Sequence, residues 1–311
     1  MKTINLIIVF ILILLLNNSF SQTEVELNLM PFPQKVILSE GKFRLDIDFT
    51  ISIEGNPDPR IYRYATRVLR RLSGRTGLFF TQDVITNETI NKNSKCIISV
   101  KREGKVKLNE NESYSLKITS DKIELYTEND LGALRGLETL LQLLAADETG
   151  YFFPVLQIED EPRFPWRGLM IDAGRHFMPV DVIKRNLDAM AFVKMNVFHW
   201  HLSEDQGFRV ESKLFPKLHQ LGSDGLFYTQ DQIKDIITYA DERGIRVIPE
   251  FDIPGHSTSW FVAYPEFSSA PGPYKIERNW GIFDPVFDPT NEKVYEFFDK
   301  FFGEMCKLFP D

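Results

Sequence analysis

The sequence predicts an α/β chain in two parts: a small α+β sandwich, then an incomplete (β/α)8 barrel of the TIM type with about three β/α units present. Three observations carry that prediction. After residue 162, strand and helix patterns alternate three times, and the strands are of the buried type, which demands a parallel sheet with right-handed crossovers. Each of these strands runs into a polar cluster, so that four of the five histidines lie at strand ends together with Arg175, Glu204, Asp205, Glu250 and Asp252. Barrels of this kind do their chemistry at the carboxyl ends of the strands, so the clusters read as one rim. Finally, the residues after Met170 are Ile-Asp-Ala-Gly-Arg-His, with none of the G-x-G-x-x-G spacing that an open doubly wound sheet usually carries after its first strand.

The chain opens on Lys2 and an unbroken apolar run over residues 6–16, followed by Asn17, Asn18 and the triplet Ser19-Phe20-Ser21. That is the layout of a secretory signal peptide, and the run is about half of the roughly 20 residues a membrane-spanning helix needs. Residues 1–21 are therefore expected to be removed, exporting the protein to the periplasm or the exterior without a membrane span. Cys96 and Cys306 fall in different domains, so no disulfide is expected and the core must supply stability. Asn87-Glu88-Thr89 and Asn111-Glu112-Ser113 are glycan acceptors if the host glycosylates, and otherwise accidents of a polar composition.

The first domain is expected over residues 24–160. Residues 43–55 alternate apolar and polar with period two, residues 60–72 read as a basic helix punctuated by Gly74, and residues 95–100 as a strand. Residues 113–118 and 123–126 form a hairpin around Ser120 and Asp121. Asn129 or Asp130 can cap the next helix, whose leucines at 131, 134, 137, 140, 141 and 144 make one stripe that packs on the sheet.

Glu159-Asp160-Glu161-Pro162-Arg163-Phe164-Pro165 breaks the periodicity, and the barrel part is expected over residues 162–311. Its strands are residues 168–172, 196–201 and 245–251. A helix over residues 182–194 turns Ile183, Leu187 and Met190 inward, and Thr229-x-x-Gln232 is a capping box opening the next, with Gly244 past its end. Asp288-Pro289 starts a last helix carrying Val294, Phe297, Phe298, Phe301, Phe302 and Met305. From Arg167 to Asp311 the chain is well short of the about 250 residues of an eight-unit barrel. The helices are expected to cover one face of the three-stranded sheet and leave the other bare.

Hydrophobic residues make up 43% and charged residues 26% of the sequence, ordinary for a globular protein, and the net charge is -8. That charge argues against a nucleic-acid partner, which would need clustered Lys and Arg. His199 and His201 lie two apart on a strand and share a face. They are either metal ligands, as in metal-dependent hydrolases, or a hydrogen-bonded polar floor. Glu204 and Asp205 are either a solvated acidic turn or part of a cavity with Asp252 and His256, which flank the turn-forming Pro254-Gly255. Trp200, Phe208, Trp260 and Trp280 are core candidates, and any one of them could instead stack on the C–H face of a sugar.

Together the segments PRFPWRGLMIDAGRHF, KMNVFHWHLSEDQGFRVESKLFPKL and RGIRVIPEFDIPGHSTSW resemble the β-N-acetylhexosaminidases of glycoside hydrolase family 20. The resemblance runs from about Leu29 to the end. It implies a small α/β domain before a (β/α)8 barrel, and removal of terminal non-reducing N-acetylglucosamine or N-acetylgalactosamine with retention. The partner implied is thus an N-acetylhexosamine-terminated oligosaccharide or glycoconjugate, with no cofactor and no metal; homodimerisation of the full-length protein stays open. In that family the substrate's own acetamido oxygen is the nucleophile, a substrate-assisted exception to the two-carboxylate scheme. Carried over residue by residue, Arg175 holds hydroxyls of the terminal sugar, Asp252 supports it as a carboxylate of the same pocket, and His256 contacts the catalytic Glu with Glu204 behind it. The family often has Asp where Glu204 stands, which leaves that role open between Glu204 and Asp205, the latter otherwise a sugar-binding residue.

The family's catalytic Asp-Glu pair, in a G-G-D-E motif at the fourth strand, belongs beyond Asp311. The chain as given is therefore expected to be inactive and its full-length parent to be a hexosaminidase. A non-catalytic glycan-binding fragment and a metal-dependent hydrolase built on His199 and His201 are the competing readings.

Overall fold

The computed structural model describes residues 27–81, 85 and 91–310. The expected export segment, the start of the first domain and the sequon at Asn87 lie outside the described residues. No helix among the described residues is long and apolar enough to cross a membrane, and Cys96 and Cys306 are both free.

The first part comprises β1 (Lys35–Arg44), β2 (Ile51–Gly55), α1 (Arg60–Thr76), β3 (Cys96–Arg102), β4 (Tyr114–Ile118), β5 (Ile123–Asn129), α2 (Asp130–Gln142), β6 (Ala145–Asp147) and β7 (Gly150–Asp160). Its sheet has the order β1-β7-β4-β5-β3-β2, with β6 added to β7. One face is buried: Leu116, Leu125 and Ile98 meet Val68 and Leu72 of α1 and Leu134, Leu137 and Leu141 of α2 in a single core. The opposite face exposes Lys117, Glu124 and Tyr126, as period-two alternation requires. Asn129 caps α2, its side chain accepting from the backbone N–H groups of Leu131 and Gly132.

Three local expectations are corrected. The alternation over residues 43–55 is not one strand, because a turn with Phe49 N donating to Asp46 O separates β1 from β2. Helix α1 runs through Gly74 and stops at Gly77, which takes φ 73°, a left-handed value that costs glycine least. The last helix begins at Glu292 with Asn291 as its cap, since the Asp288 carboxylate is turned back onto the Thr290 N–H and hydroxyl. The long strand β7, at the second position of the sheet, is not anticipated by the periodicity of residues 150–160.

The second part runs β8 (Gly168–Asp172), α3 (Val180–Phe192), β9 (Val197–His201), β10 (Ser203–Glu204), β11 (Gly207–Phe208), α4 (Lys217–Leu221), α5 (Gln230–Asp241), β12 (Arg246–Glu250), α6 (Thr258–Ala263) and α7 (Glu292–Leu308). Strands β8, β9 and β12 form a parallel sheet with β9 central. Phe198 and Trp200 point to the helix-covered face and are fully buried, while on the other face Met170 is 51% exposed. The register sets Asp172, His201 and Glu250 level with one another at the carboxyl ends.

An aromatic cluster supports those ends. Phe208 stands edge-on to Trp260 with ring centroids 4.7 Å apart, Trp260 to Phe301 at 5.0 Å, and Phe251 to Phe301 at 5.0 Å. Edge-to-face pairs contribute about 0.5–1.5 kcal/mol each beyond their buried area, so the β10–β11 hairpin is anchored on α6 and α7.

At the other end of the strands the two parts are joined through buried charge. Glu112 receives Arg135 Nε at 2.6 Å and Arg167 Nη2 at 2.5 Å on one oxygen, and Asn196 Nδ2 at 2.9 Å on the other. Burial acts to raise the Glu112 pKa, but the two guanidinium groups outweigh it and hold it low. Arg135 also donates to the carbonyls of Arg243 at 3.1 Å and Gly244 at 2.7 Å, just before β12. The first domain thus grips the amino ends of the parallel strands and leaves their carboxyl ends open.

Candidate active site

The carboxyl ends of β8, β9 and β12 converge on Glu204, which lies on the short hairpin after β9 and is 1% exposed. Gly174 lets this happen: a Cβ there would stand 2.9 Å from the Glu204 Cβ, a distance side chains do not tolerate. Glu204 Oε1 meets Arg175 Nη2 at 2.6 Å and His201 Nε2 at 3.1 Å. Its Oε2 lies 3.0 Å from His256 Nδ1 and accepts from the Asp205 N–H at 3.2 Å. The His256 pair is close but not aligned as a hydrogen bond.

Arg175 is half-buried and is also clamped from its own loop, with Nη1 2.6 Å from Asp172 Oδ2 and its N–H on Asp172 Oδ1 at 2.9 Å. Burial works against the charged guanidinium, yet Asp172 and Glu204 outweigh it and raise its pKa. Asp252 is partly exposed, and among the described residues its carboxylate accepts no protein hydrogen bond. Burial, with Glu204 and Glu250 nearby, lifts its pKa above the usual range against the pull of His256 and His201. Asp252 is therefore the acid left free for a ligand. His256 takes φ 53°, a left-handed conformation uncommon for a residue with a Cβ, and this turn after Pro254-Gly255 brings its ring to Glu204.

Asp205 faces elsewhere. It is 1% exposed, and its Oδ1 accepts from the Thr258 N–H at 3.0 Å and hydroxyl at 2.6 Å, fixing the start of α6. Only its Oδ2 reaches towards the site, 3.4 Å from His256 Nδ1. Between the two adjacent acids, Glu204 is the one on which the basic groups converge.

His199 and His201 form a polar floor. His199 Nε2 is 2.5 Å from Glu250 Oε2, and His201 stands between carboxylates, with Nδ1 2.9 Å from Glu250 and Nε2 3.1 Å from Glu204. Burial acts to lower the His201 pKa, but the two carboxylates outweigh it and push it up to about 9. An imidazole facing an acid on both nitrogens carries both protons and has no lone pair for a metal. The grouping of Asp172, His201 and Glu204 that could hold an ion is likewise occupied by the Arg175 guanidinium. On these contacts the metal-hydrolase alternative loses His201 as a ligand, and His199 Nε2 is turned to Glu250.

His176 is exposed beside Arg175, and His219 takes the Ser212 N–H on Nδ1 at 3.3 Å. Of the four aromatic candidates, Trp200, Phe208 and Trp260 are core, whereas Trp280 is 85% exposed with its ring centroid 5.8 Å from the Arg175 guanidinium.

With this geometry in place, the kinship of the chain is decided by its match to two family models. Residues 164–311 match the catalytic domain of glycosyl hydrolase family 20, and residues 26–161 match domain 2 of the same family. The chain belongs to glycosyl hydrolase family 20. It is 34% identical to β-hexosaminidase subunit A2 of Dictyostelium discoideum over all of this chain and 56% of that protein, and 32% identical to the β-hexosaminidase of Porphyromonas gingivalis over 91% of this chain and 38% of that protein. Among solved structures, the Flavobacterium johnsoniae chitobiase matches 91% of this chain and 43% of its own, at 56% identity and a TM-score of 0.88. The chain spans about half the length of the curated relatives it matches. The family's barrel architecture agrees with the parallel β8-β9-β12 sheet.

Asp172 joins the site unanticipated from the sequence, and Glu250, expected on the rim, takes the two histidines there. The signal for Asp172 was register: it ends a strand in phase with His201, and three strand ends at one level bring their last inward residues together.

Proposed function

We propose that the full-length protein is a β-N-acetylhexosaminidase that removes terminal non-reducing N-acetylglucosamine or N-acetylgalactosamine with retention, the substrate's acetamido oxygen acting as nucleophile. The observation that carries this reading is the convergence of Arg175, Glu204, Asp252 and His256 at the ends of three adjacent parallel strands in a chain of family 20. Arg175, aimed by Asp172 and Glu204, donates to sugar hydroxyls. Asp252 accepts from them. Glu204 fixes His256, which in turn orients the acid that protonates the leaving group, and Trp280 offers an apolar face to the sugar's C–H groups. The roles given to residues of this chain are supporting ones: they bind, orient and hold charge. Lys2 and the apolar run over residues 6–16 support export, to the periplasm or exterior, where such glycans are reached.

The test is hydrolysis of a chromogenic N-acetylglucosaminide by the full-length protein. Arg175→Ala is expected to lower kcat/KM by about 100-fold or more, in line with lost charged hydrogen bonds in a site. A fully active Arg175→Ala protein would overturn the assignment.

A further inference from the structure

Arg209 follows the β10–β11 hairpin and is 4% exposed. Its guanidinium donates to five backbone carbonyls: Nε to Ala173 at 3.0 Å, Nη2 to Gly174 at 2.9 Å and Gln206 at 3.2 Å, and Nη1 to Ser223 at 2.9 Å and Leu226 at 3.1 Å. Among the described residues no carboxylate forms an ion pair with it. Burial lowers the Arg209 pKa and Asp224 and Asp172 offset this only at longer range, so the cation carries a desolvation cost that the carbonyl dipoles must largely offset. A hydrophobic side chain there would leave five buried acceptors from separate segments unpaired, whereas the rigid fork of arginine holds them together.

Two of those acceptors matter most. Ala173 and Gly174 lie between the end of β8 and Arg175, and Gly174 is the residue packed against Glu204. The backbone of Arg209 is in turn fixed to the second strand's loop, its N–H on Leu202 O at 2.9 Å. Arg209 therefore ties the segment that carries Arg175 to the segment that carries Glu204.

We propose that Arg209 is a positioning residue that sets the Arg175–Glu204 pair for sugar binding, a role that rests on the function proposed above. It acts on the reaction through the placement of Arg175 against Glu204. A lysine retains the charge but has three donors, so it cannot hold both the Ala173–Gly174 carbonyls and the Ser223–Leu226 carbonyls.

The experiment is a double-mutant cycle on the full-length protein, with kcat and KM measured on a chromogenic N-acetylglucosaminide for wild type, Arg175→Ala, Arg209→Lys and the double variant. Arg209→Lys is expected to lower kcat/KM by about 10- to 100-fold, mainly through KM. In the Arg175→Ala background the same change should cost less than about twofold, because the two residues act as a unit. Losses that multiply in the double variant would overturn the proposal and leave Arg209 merely structural. Should Arg209→Lys fail to fold, Gly174→Ala displaces the same segment from the Glu204 side and is expected to show the same coupling to Arg175. A crystal structure of whichever variant folds decides independently of turnover: residues 173–175 should shift and the Arg175–Glu204 contact open beyond hydrogen-bond reach. An unmoved contact would sink the proposal even if the wild-type protein hydrolysed no hexosaminide, whereas a displaced contact in an inactive protein would count against the proposed function alone.

Discussion

Arg175 and Glu204 leave different strands and meet at 2.6 Å, one charge from the first β/α unit and one from the second locked into a single pair. The pair is shielded, since Glu204 is almost fully buried and Arg175 half so. Glu204→Gln keeps the shape and removes the charge that Arg175, His201 and His256 share. Breaking a buried pair from one side costs about 3–5 kcal/mol. Urea unfolding of Glu204→Gln is expected to show a loss of that order, together with a fall in kcat/KM of about 100-fold; a variant as stable as wild type would contradict the convergence on Glu204.

His201 is expected to stay doubly protonated until about pH 9. Its folded pKa is raised above the unfolded value near 6.5, so its stabilising contribution is complete below about pH 6.5 and is lost as pH rises through about 9. Imidazole nitrogen shifts by NMR should report two N–H groups at neutral pH, and Tm should decline across that window. Glu250→Gln removes one of the two carboxylates and should move both transitions downward. A neutral His201 ring at pH 7 would refute the charged floor.

Trp280 is the exposed aromatic next to Arg175. Trp280→Ala is expected to raise KM for a hexosaminide by about 2- to 10-fold, the range an aromatic contact of about 0.5–1.5 kcal/mol allows, with Tm unchanged. A drop in Tm with KM constant would make it a packing residue.

Glu112 is the hub of the domain junction. Glu112→Gln leaves the buried Arg135 and the partly buried Arg167 without their anion and should destabilise by about 3 kcal/mol. Calorimetry is the measure, and two separate unfolding transitions are expected where wild type gives one.

The sequence was most legible where one residue type has one physical use. The Thr229-x-x-Gln232 box, the Asn129 cap and the leucine stripe of α2 could be placed because capping and helical period leave few alternatives. The strand ends carrying Arg175, Glu204 and His256 were legible for the same reason, since a polar cluster directly after a buried strand is costly to keep unless it lines the rim of a site. Asp205 was not: adjacent acids in a turn look alike in sequence, and only the Thr258 N–H and hydroxyl distinguish the one that starts a helix from the one that faces the basic groups. Asp172 depended on register between strands, and Gly77 replaced Gly74 as a helix stop because a glycine is a stop only where the backbone turns left-handed. Three of the four aromatic candidates proved to be core, a matter of which side of the chain faced the helices.

The grip of Glu112 and Arg135 on the feet of the parallel strands has an evolutionary corollary. The candidate site and the anchorage occupy opposite poles, so the two halves are free to drift at different tempos. In a randomised library selected for hydrolysis, replacements at Lys117, Glu124 and Tyr126 on the solvent-facing sheet should be recovered freely. Those at Glu112, Arg135 and Asn196 should vanish from the soluble pool before selection for chemistry begins.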